Sequence, residues 1–168
     1  MSPATLFNRE KIVFDAMVII NFHGLVMLDK LIGWAPKEIV IEKSIRKEAS
    51  HSMNGPIDLE PYISSGSLKE EEIHGKDQED LFYEYCNKKI DDAVIYAGEA
   101  ACLALAISKG YGLASDELVV RNEFKSRCSG KTCVHSRDIV TISRKLGFIN
   151  QAEANALKRG KTRMPYEI

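Results

Sequence analysis

The sequence lacks most of the features that would place it outside the ordinary globular proteins. It holds only five Pro and 11 Gly in 168 residues, with no repeat or low-complexity tract, which argues against collagen-like and disordered chains. Its four cysteines, Cys86, Cys102, Cys128 and Cys133, are irregularly spaced and form no CxxC pair. A trio of Cys128, Cys133 and His135 also lacks the paired spacing of structural zinc. We therefore expect reduced, incidental thiols.

Long hydrophobic runs are also missing. The longest uncharged run near the N-terminus, residues 16–28, is too short to cross a bilayer. The charged residues Arg9, Glu10 and Lys11 precede it, which is unlike a secretory signal. We expect a cytoplasmic protein that does not associate with membranes.

Several enzyme classes are disfavoured because their motifs are absent. The sequence contains neither a Walker A loop nor a GxGxxG loop, and its four His form no pattern with a nucleophile elbow. Haloacid-dehalogenase-like phosphatases need a second Asp two residues after the first, where Met17 stands after Asp15. Receiver domains need an acidic pair and a late Lys that are not visible either.

Charge is distributed unevenly along the chain. Residues 118–168 hold 11 Lys and Arg against four Asp and Glu, whereas residues 1–117 hold 12 against 20. The basic segment ends in Lys158, Arg159, Lys161 and Arg163. It fits a surface that grips phosphates, and it fits equally well an ordinary solvated helix face.

Strands alternate with helices along the chain, which predicts an α/β fold with a mostly parallel sheet in one domain. Apolar, β-rich or alternating runs predict strands, and apolar residues at helical spacing predict helices. The predicted strands are 11–14, 38–42, 67–73, 111–114 and one around Cys133. Residues 17–34 are predicted to form two helices separated at Gly24. Further helices are predicted at residues 44 to about 54, 78–89, 98–109, 118–127 and 138–146, and in a last basic segment.

Four acidic residues fall where a site could form. Asp15 ends the first strand and Asp116 follows the strand at 111–114. Glu99 begins an Ala-rich helix, and Glu48 lies in the helix after the second strand. Sites in open α/β sheets lie beyond the carboxyl ends of the strands. Mg²⁺ and Mn²⁺ prefer carboxylate oxygens, and carboxylates gathered without a cation repel each other, so we expect a metal site of hydrolytic type here.

Each acid also has a purely structural interpretation. Asp15 and Asp116 could cap the elements that follow them, Glu99 could interact only with a helix dipole, and Glu48 could lie on a helix surface. Secondary candidates for the metal site are Glu117, Glu123 and Asp138, and candidates for phosphate contact are Arg121, Lys125 and Arg137.

Four stretches in order resemble the PIN-domain nucleases, which include many prokaryotic toxin–antitoxin ribonucleases. KIVFDAMVII is similar to the opening strand with its first acid, and VIEKSIRKEAS to the segment that places the second acid on a helix. GEAACLALAISKGYGLASDE resembles the segment with the third and fourth acids, and VHSRDIVTISRKLGFI the closing strand and helix.

The resemblance implies a three-layer PIN-like fold over residues 1–168, with a mostly parallel central sheet flanked by helices. It also implies an Mg²⁺- or Mn²⁺-dependent endoribonuclease, expected to be a homodimer that binds RNA and is restrained by a small antitoxin protein. Its catalytic and metal-binding residues would be Asp15, Glu48, Glu99 and Asp116.

The chain departs from the family pattern directly after the first acid. The family usually has Thr or Ser there, whereas Ala16 and Met17 follow Asp15. Ser115 could supply a hydroxyl near the fourth acid, and we do not expect it to replace one at the first. The departure leaves an alternative function open, that of a catalytically weak PIN-like module that binds RNA or a protein partner.

Overall fold

The computed structural model describes residues 4–160. In chain order the strands are β1 (Ile12–Phe14), β2 (Ile39–Glu42), β3 (His51–Ser52), β4 (Gly55–Pro56), β5 (Lys69–Glu71), β6 (Lys89–Ile90), β7 (Ala93–Val94), β8 (Gly112–Ala114) and β9 (Cys133–Val134). The helices are α1 (Ala16–Gly24), α2 (Leu28–Trp34), α3 (Ile45–Glu48), α4 (Glu60–Ser64), α5 (Lys76–Tyr85), α6 (Ala97–Lys109), α7 (Leu118–Arg127), α8 (Ser136–Lys145) and α9 (Gln151–Lys158).

The central sheet has five strands in the order β5-β2-β1-β8-β9, and every neighbouring pair is parallel. Strand β1 lies in the middle, where Phe14 is in register with Ala114 of β8, and Ala114 with Val134 of β9. The residues that follow these strands therefore meet at one edge of the sheet. With helices flanking the sheet, the chain has the predicted three-layer α/β architecture.

Helix α6 is the central packing element on the sheet. It contacts β1, β2 and β8 as well as α5 and α7, and it is buried from Ala100 to Ala106. Small Ala side chains and Leu allow this close approach and favour a helix. Gly110 ends it in the left-handed conformation, with φ of 66°, which glycine adopts without a steric penalty. Elsewhere α1 packs against α2, α3 and α8, and α9 packs against α8.

Several predicted helix boundaries are wrong. The helix from Ser44 ends at Glu48, because residues 51–56 form a hairpin of β3 and β4 that turns at Met53-Asn54. Helix α5 ends at Tyr85, because residues 89–94 form the hairpin of β6 and β7. Helix α8 begins at Ser136, since the Asp138 carboxylate caps it by accepting from the His135 N–H at 3.0 Å.

The predicted last helix is present as α9, but its eight residues balance Glu153 against Lys158, and Arg159 follows it. Lys161 and Arg163 lie outside the described residues. Between residues 4 and 160, no single helix is long and apolar enough to span a bilayer. Helices α1 and α2 together have the length and composition of a membrane span, but they are bent by 116° relative to each other.

Candidate metal centre at the carboxyl edge of the sheet

A cleft of about 540 Å³ opens at the carboxyl edge of the sheet. Three of the four predicted acids, Asp15, Glu48 and Glu99, line it. They come from the end of β1, from the last residue of α3 and from the first turn of α6. These acids are far apart in the sequence, and the parallel sheet and its helices bring them together.

Asp15 is the most deeply placed of these acids. Its side chain is 3% exposed, and it accepts hydrogen bonds from the Ala16 N–H at 2.7 Å and the Ser115 hydroxyl at 3.0 Å. Burial, followed by the negative charge of Glu99, raises the pKa of Asp15 to about 7 against the lowering effect of these hydrogen bonds, and Glu48 adds to the rise. The carboxyl therefore loses its proton near neutral pH, far above the ordinary range of an aspartic acid.

Ser115 contacts the first acid, whereas the sequence placed its hydroxyl near the fourth. The register of Phe14 with Ala114 places residue 115 beside residue 15, and the hydroxyl donates to Asp15 Oδ2. The Ser115 side chain is fully buried, and its backbone carbonyl accepts from Arg121 Nη1 at 2.9 Å. A hydroxyl at the end of the neighbouring strand β8 thus donates to Asp15, whose two following residues, Ala16 and Met17, carry none.

Glu48 reaches the start of α6 because residue 98 has no side chain. A Cβ added at Gly98 would overlap the Glu48 carboxylate, which occupies that space. Burial raises the pKa of Glu48, and the charge of Glu42 raises it further. Glu48 also borders a second, smaller cleft of about 300 Å³, which is lined by Glu42 and Ser44 among others.

Glu99 caps the N-terminus of α6. Its Oε2 accepts from the Tyr96 N–H at 2.9 Å, which satisfies one of the free donors at the helix start. Burial raises the pKa of Glu99 against the lowering effect of this hydrogen bond, and the charges of Glu117 and Glu48 raise it further. The capping role and the metal-site role of Glu99 are therefore compatible. Only Oε2 is needed to cap the helix, which leaves Oε1 for a second role.

Asp116 follows β8 at the same edge, yet it does not line the cleft. Its Oδ2 accepts from Asn21 Nδ2 and from the Ser136 hydroxyl, each at 2.6 Å. Its Oδ1 accepts from the Ser136 N–H at 2.7 Å. Asp116 thus ties α1 and the start of α8 to the end of β8. Because both oxygens already accept strong hydrogen bonds, Asp116 is the weakest of the four candidates as a direct ligand.

Glu42 belongs to the same acidic region and was not among the candidates from sequence. It ends β2, is 5% exposed, and accepts hydrogen bonds from the N–H and the hydroxyl of Ser44. The fully buried thiol of Cys102 lies close to this region. Burial raises the pKa of Cys102, and the charges of Asp15, Glu42, Glu48 and Glu99 raise it further. An acid that ends a buried strand was the signal that identified Asp15, and it applies equally to Glu42.

Of the secondary acids, Glu117 is close enough to Glu99 to raise its pKa. Glu123 lies elsewhere, because it accepts from the Tyr85 hydroxyl at 3.0 Å and pairs with Lys88 and Arg127. Asp138 serves as the cap of α8 described above. Neither Glu123 nor Asp138 lines the cleft.

The candidate phosphate-binding cations have different environments. Arg121 is 8% exposed and donates to the Ser115 carbonyl, so it supports the end of β8 instead of presenting a free guanidinium. Lys125 is exposed on α7, and Arg137 is partly buried in the first turn of α8. Arg121 is thus better interpreted as a structural residue than as a contact to nucleic acid.

The side chains as they stand do not form a finished metal cage. Within the described part of the chain, no three His, Cys, Asp or Glu side chains are grouped closely enough to hold a metal ion. The donor chemistry nevertheless fits Mg²⁺ or Mn²⁺, since the cleft offers carboxylate oxygens whose protonation is favoured by burial and by their neighbours. Mg²⁺ is usually held by one or two carboxylates while it keeps several waters, so a complete protein cage is not required.

Comparison with known proteins gives no relative from which a role could be transferred. No family model, no curated protein and no solved structure matches the chain.

Proposed function

We propose that this chain is a metal-dependent endoribonuclease of PIN type, which hydrolyses RNA phosphodiester bonds in the cleft at the carboxyl edge of the sheet. The observation that carries the proposal is the convergence of Asp15, Glu48 and Glu99 on one cleft, with a raised pKa for each. Asp15 is buried and Glu99 half-buried, and the repulsion of neighbouring carboxylates destabilises a fold unless a cation compensates it. Such an arrangement is typical of functional sites.

Asp15, Glu48 and Glu99 would hold Mg²⁺ or Mn²⁺. Bound metal polarises a phosphodiester and lowers the pKa of water beside it. The chain itself holds the carboxylates in place: Ser115 and the Ala16 N–H orient Asp15, and the missing side chain at Gly98 admits Glu48. Asp116 would support the site indirectly, because it holds α1 and α8 against the end of β8.

The partners in the proposal follow from the resemblance to the PIN family. They are RNA as substrate, a second copy of the chain in a homodimer, and a small antitoxin protein if the chain is the toxin of a toxin–antitoxin pair. A cytoplasmic location belongs to the same proposal. The basic surface of the C-terminal third, including Lys158 and Arg159, would contribute contacts to the phosphate backbone.

A catalytically weak module that binds RNA or a protein partner is the second candidate. Two observations favour it: the carboxylates are not assembled into a metal cage, and Met17 lines the cleft shortly after Asp15. The hydrogen bond from Ser115 to Asp15 favours the nuclease, because it restores the hydroxyl support that Ala16 and Met17 lack.

Cleavage of a mixed RNA pool distinguishes the two candidates. We expect the purified protein to cut RNA in Mn(II), and EDTA to abolish cutting. The Glu99→Gln variant should lose activity by on the order of a hundredfold or more, because a neutral amide is a poor ligand for a hard cation.

Glu79→Gln is the matched control, because Glu79 is an exposed acid in the first turn of α5, outside the cleft. It should cut like the wild type. A folded wild-type protein that cuts neither RNA nor DNA with Mn(II), and binds RNA equally well in EDTA, would instead support the binding module.

Gly98→Ala tests whether Glu48 must occupy the space beside α6. The added Cβ overlaps the Glu48 carboxylate, which is the far end of a flexible side chain and can turn away. We expect cleavage to fall by about tenfold or more, and the free energy of unfolding to stay equal or rise by up to about 1 kcal/mol, because Ala favours a helix over Gly.

Gly33→Ala provides the control for Gly98→Ala. It makes the same substitution in helix α2, where an added Cβ meets nothing within 4 Å. Chemical denaturation and cleavage assays on both variants separate the two effects. Full activity in Gly98→Ala would show that the placement of Glu48 is not needed. If Gly98→Ala is so destabilised that the unfolded fraction accounts for the lost activity, the result reflects misfolding.

A further inference from the structure

The wall of the cleft includes an exposed aromatic ring that the chemistry of the carboxylates does not use. Tyr96 is 65% exposed and lines the cleft together with the acids. It lies between the hairpin of β6 and β7 and the start of α6. A Tyr side chain combines an apolar ring with a polar hydroxyl, and Tyr is enriched at binding interfaces for that reason.

The backbone of Tyr96 is held firmly while its ring remains accessible. Its N–H donates to Glu99 Oε2 at 2.9 Å, and its carbonyl accepts from the Ala100 N–H at 2.9 Å. The preceding residue, Ile95, is fully buried. The backbone of Tyr96 is therefore fixed relative to Glu99, so its ring is presented from a defined point on the cleft wall.

The other side chains that line this wall of the cleft suit a flat ligand that has apolar faces and a polar edge. Met17 and Ile20 supply apolar surface, and Asn87 supplies an amide, with its backbone held at a φ of 62°. The volume of about 540 Å³ lies within the range of sites for small ligands. A nucleobase has apolar faces and hydrogen-bonding edges, and in a nucleic acid it is attached beside the phosphate that the carboxylate site would process.

We propose that Tyr96 stacks on an unpaired nucleobase next to the scissile phosphate. The inference rests on the proposed nuclease function and adds to it the residue that positions the substrate. A base inside a duplex is already stacked on both faces, so the Tyr96 ring would be used only by a strand that is unpaired at the cut site. Stacking on an aromatic ring tolerates any base, so little sequence preference is expected from this contact.

Binding of a short single-stranded RNA that carries 2-aminopurine tests the stacking contact. With Ca²⁺ in place of Mn(II) to slow cleavage, we expect Tyr96→Ala to bind about tenfold more weakly than the wild type and to lose quenching of 2-aminopurine. Tyr96→Phe should retain both. Tyr83→Ala is the matched control, because Tyr83 is 73% exposed on α5 and does not line the cleft.

The outcomes separate this inference from the proposed function, because cleavage by the wild type in Mn(II) is followed on the same RNA. If the wild type cuts the RNA while Tyr96→Ala binds and quenches as the wild type does, the stacking role is wrong and the nuclease stands. An equal loss in Tyr83→Ala would also overturn the specific role of Tyr96. If the wild type neither binds nor cuts the RNA, both proposals fall.

Discussion

Replacing Asp15 by Asn is expected to abolish metal-dependent cleavage while making the metal-free protein more stable above neutral pH. The Asn side chain has the shape of Asp, and its oxygen can keep the hydrogen bond from the Ala16 N–H. It cannot supply the charge that attracts a cation. We expect cleavage to fall by on the order of a thousandfold or more.

The gain in stability follows from the raised pKa of Asp15. Because burial first, and the charge of Glu99 second, raise it from 3.8 to about 7, the folded state binds the proton more tightly than the unfolded state does. The free energy of unfolding of the wild type should therefore fall as pH rises from about 4 to about 7. The full penalty above that window is on the order of 4 kcal/mol, and Asn removes it.

Urea denaturation in EDTA at about pH 4 and about pH 8 measures this difference. Asp15→Asn should be more stable than the wild type at the higher pH, and the difference should vanish at the lower one. Glu79→Gln, at an exposed acid, should change neither stability nor cleavage appreciably. Retained cleavage in Asp15→Asn would remove Asp15 from the site, and equal stability at both pH values would refute its raised pKa.

Binding of Mn(II) should strengthen steeply with pH. The cation must displace the proton of Asp15, whose pKa of about 7 reflects burial first and the charge of Glu99 second. Burial also raises the pKa values of Glu48 and Glu99. As pH increases toward about 7, the apparent dissociation constant for Mn(II) should decrease by about tenfold per pH unit. It should become constant above about pH 8.

Calorimetric titration of the metal-free protein in buffers of different ionisation enthalpy detects the released proton. About one proton should be released per bound Mn(II) near pH 6, and close to none above about pH 8. Bound metal should also stabilise the fold, by roughly 2.7 kcal/mol at a hundredfold excess over the dissociation constant. Tight binding that does not vary with pH would place the metal away from Asp15.

The sheet and its main helices were predictable because their signals are local. The run from Lys11 to Phe14 is short, apolar and stopped by an acid, and α6 combines Ala and Leu with a terminal Gly. The two hairpins were missed because each strand has two residues, too few to show a periodicity. The run Asn54-Gly55-Pro56 was interpreted as a turn, whereas the turn lies at residues 53–54 and Gly55 and Pro56 form β4.

The placement of the site was predictable in part. Acids at the ends of β1 and in α3 and α6 share the cleft, as expected from a parallel sheet. The hydrogen bond from Ser115 to Asp15 depends on the register between β1 and β8, which the sequence does not show. The bonds of Asp116 to Asn21 and Ser136 depend likewise on how α1 and α8 pack.

The central claim is that Asp15 and its neighbouring carboxylates bind a divalent metal, and titration with Mn(II) at about pH 8, followed by electron paramagnetic resonance, tests it most directly. We expect the free Mn(II) signal to be lost as the wild type binds the ion, and Asp15→Asn to bind it about a hundredfold more weakly or worse. A folded wild-type protein that leaves the free signal unchanged, or an Asp15→Asn variant that binds equally well, would contradict the metal centre.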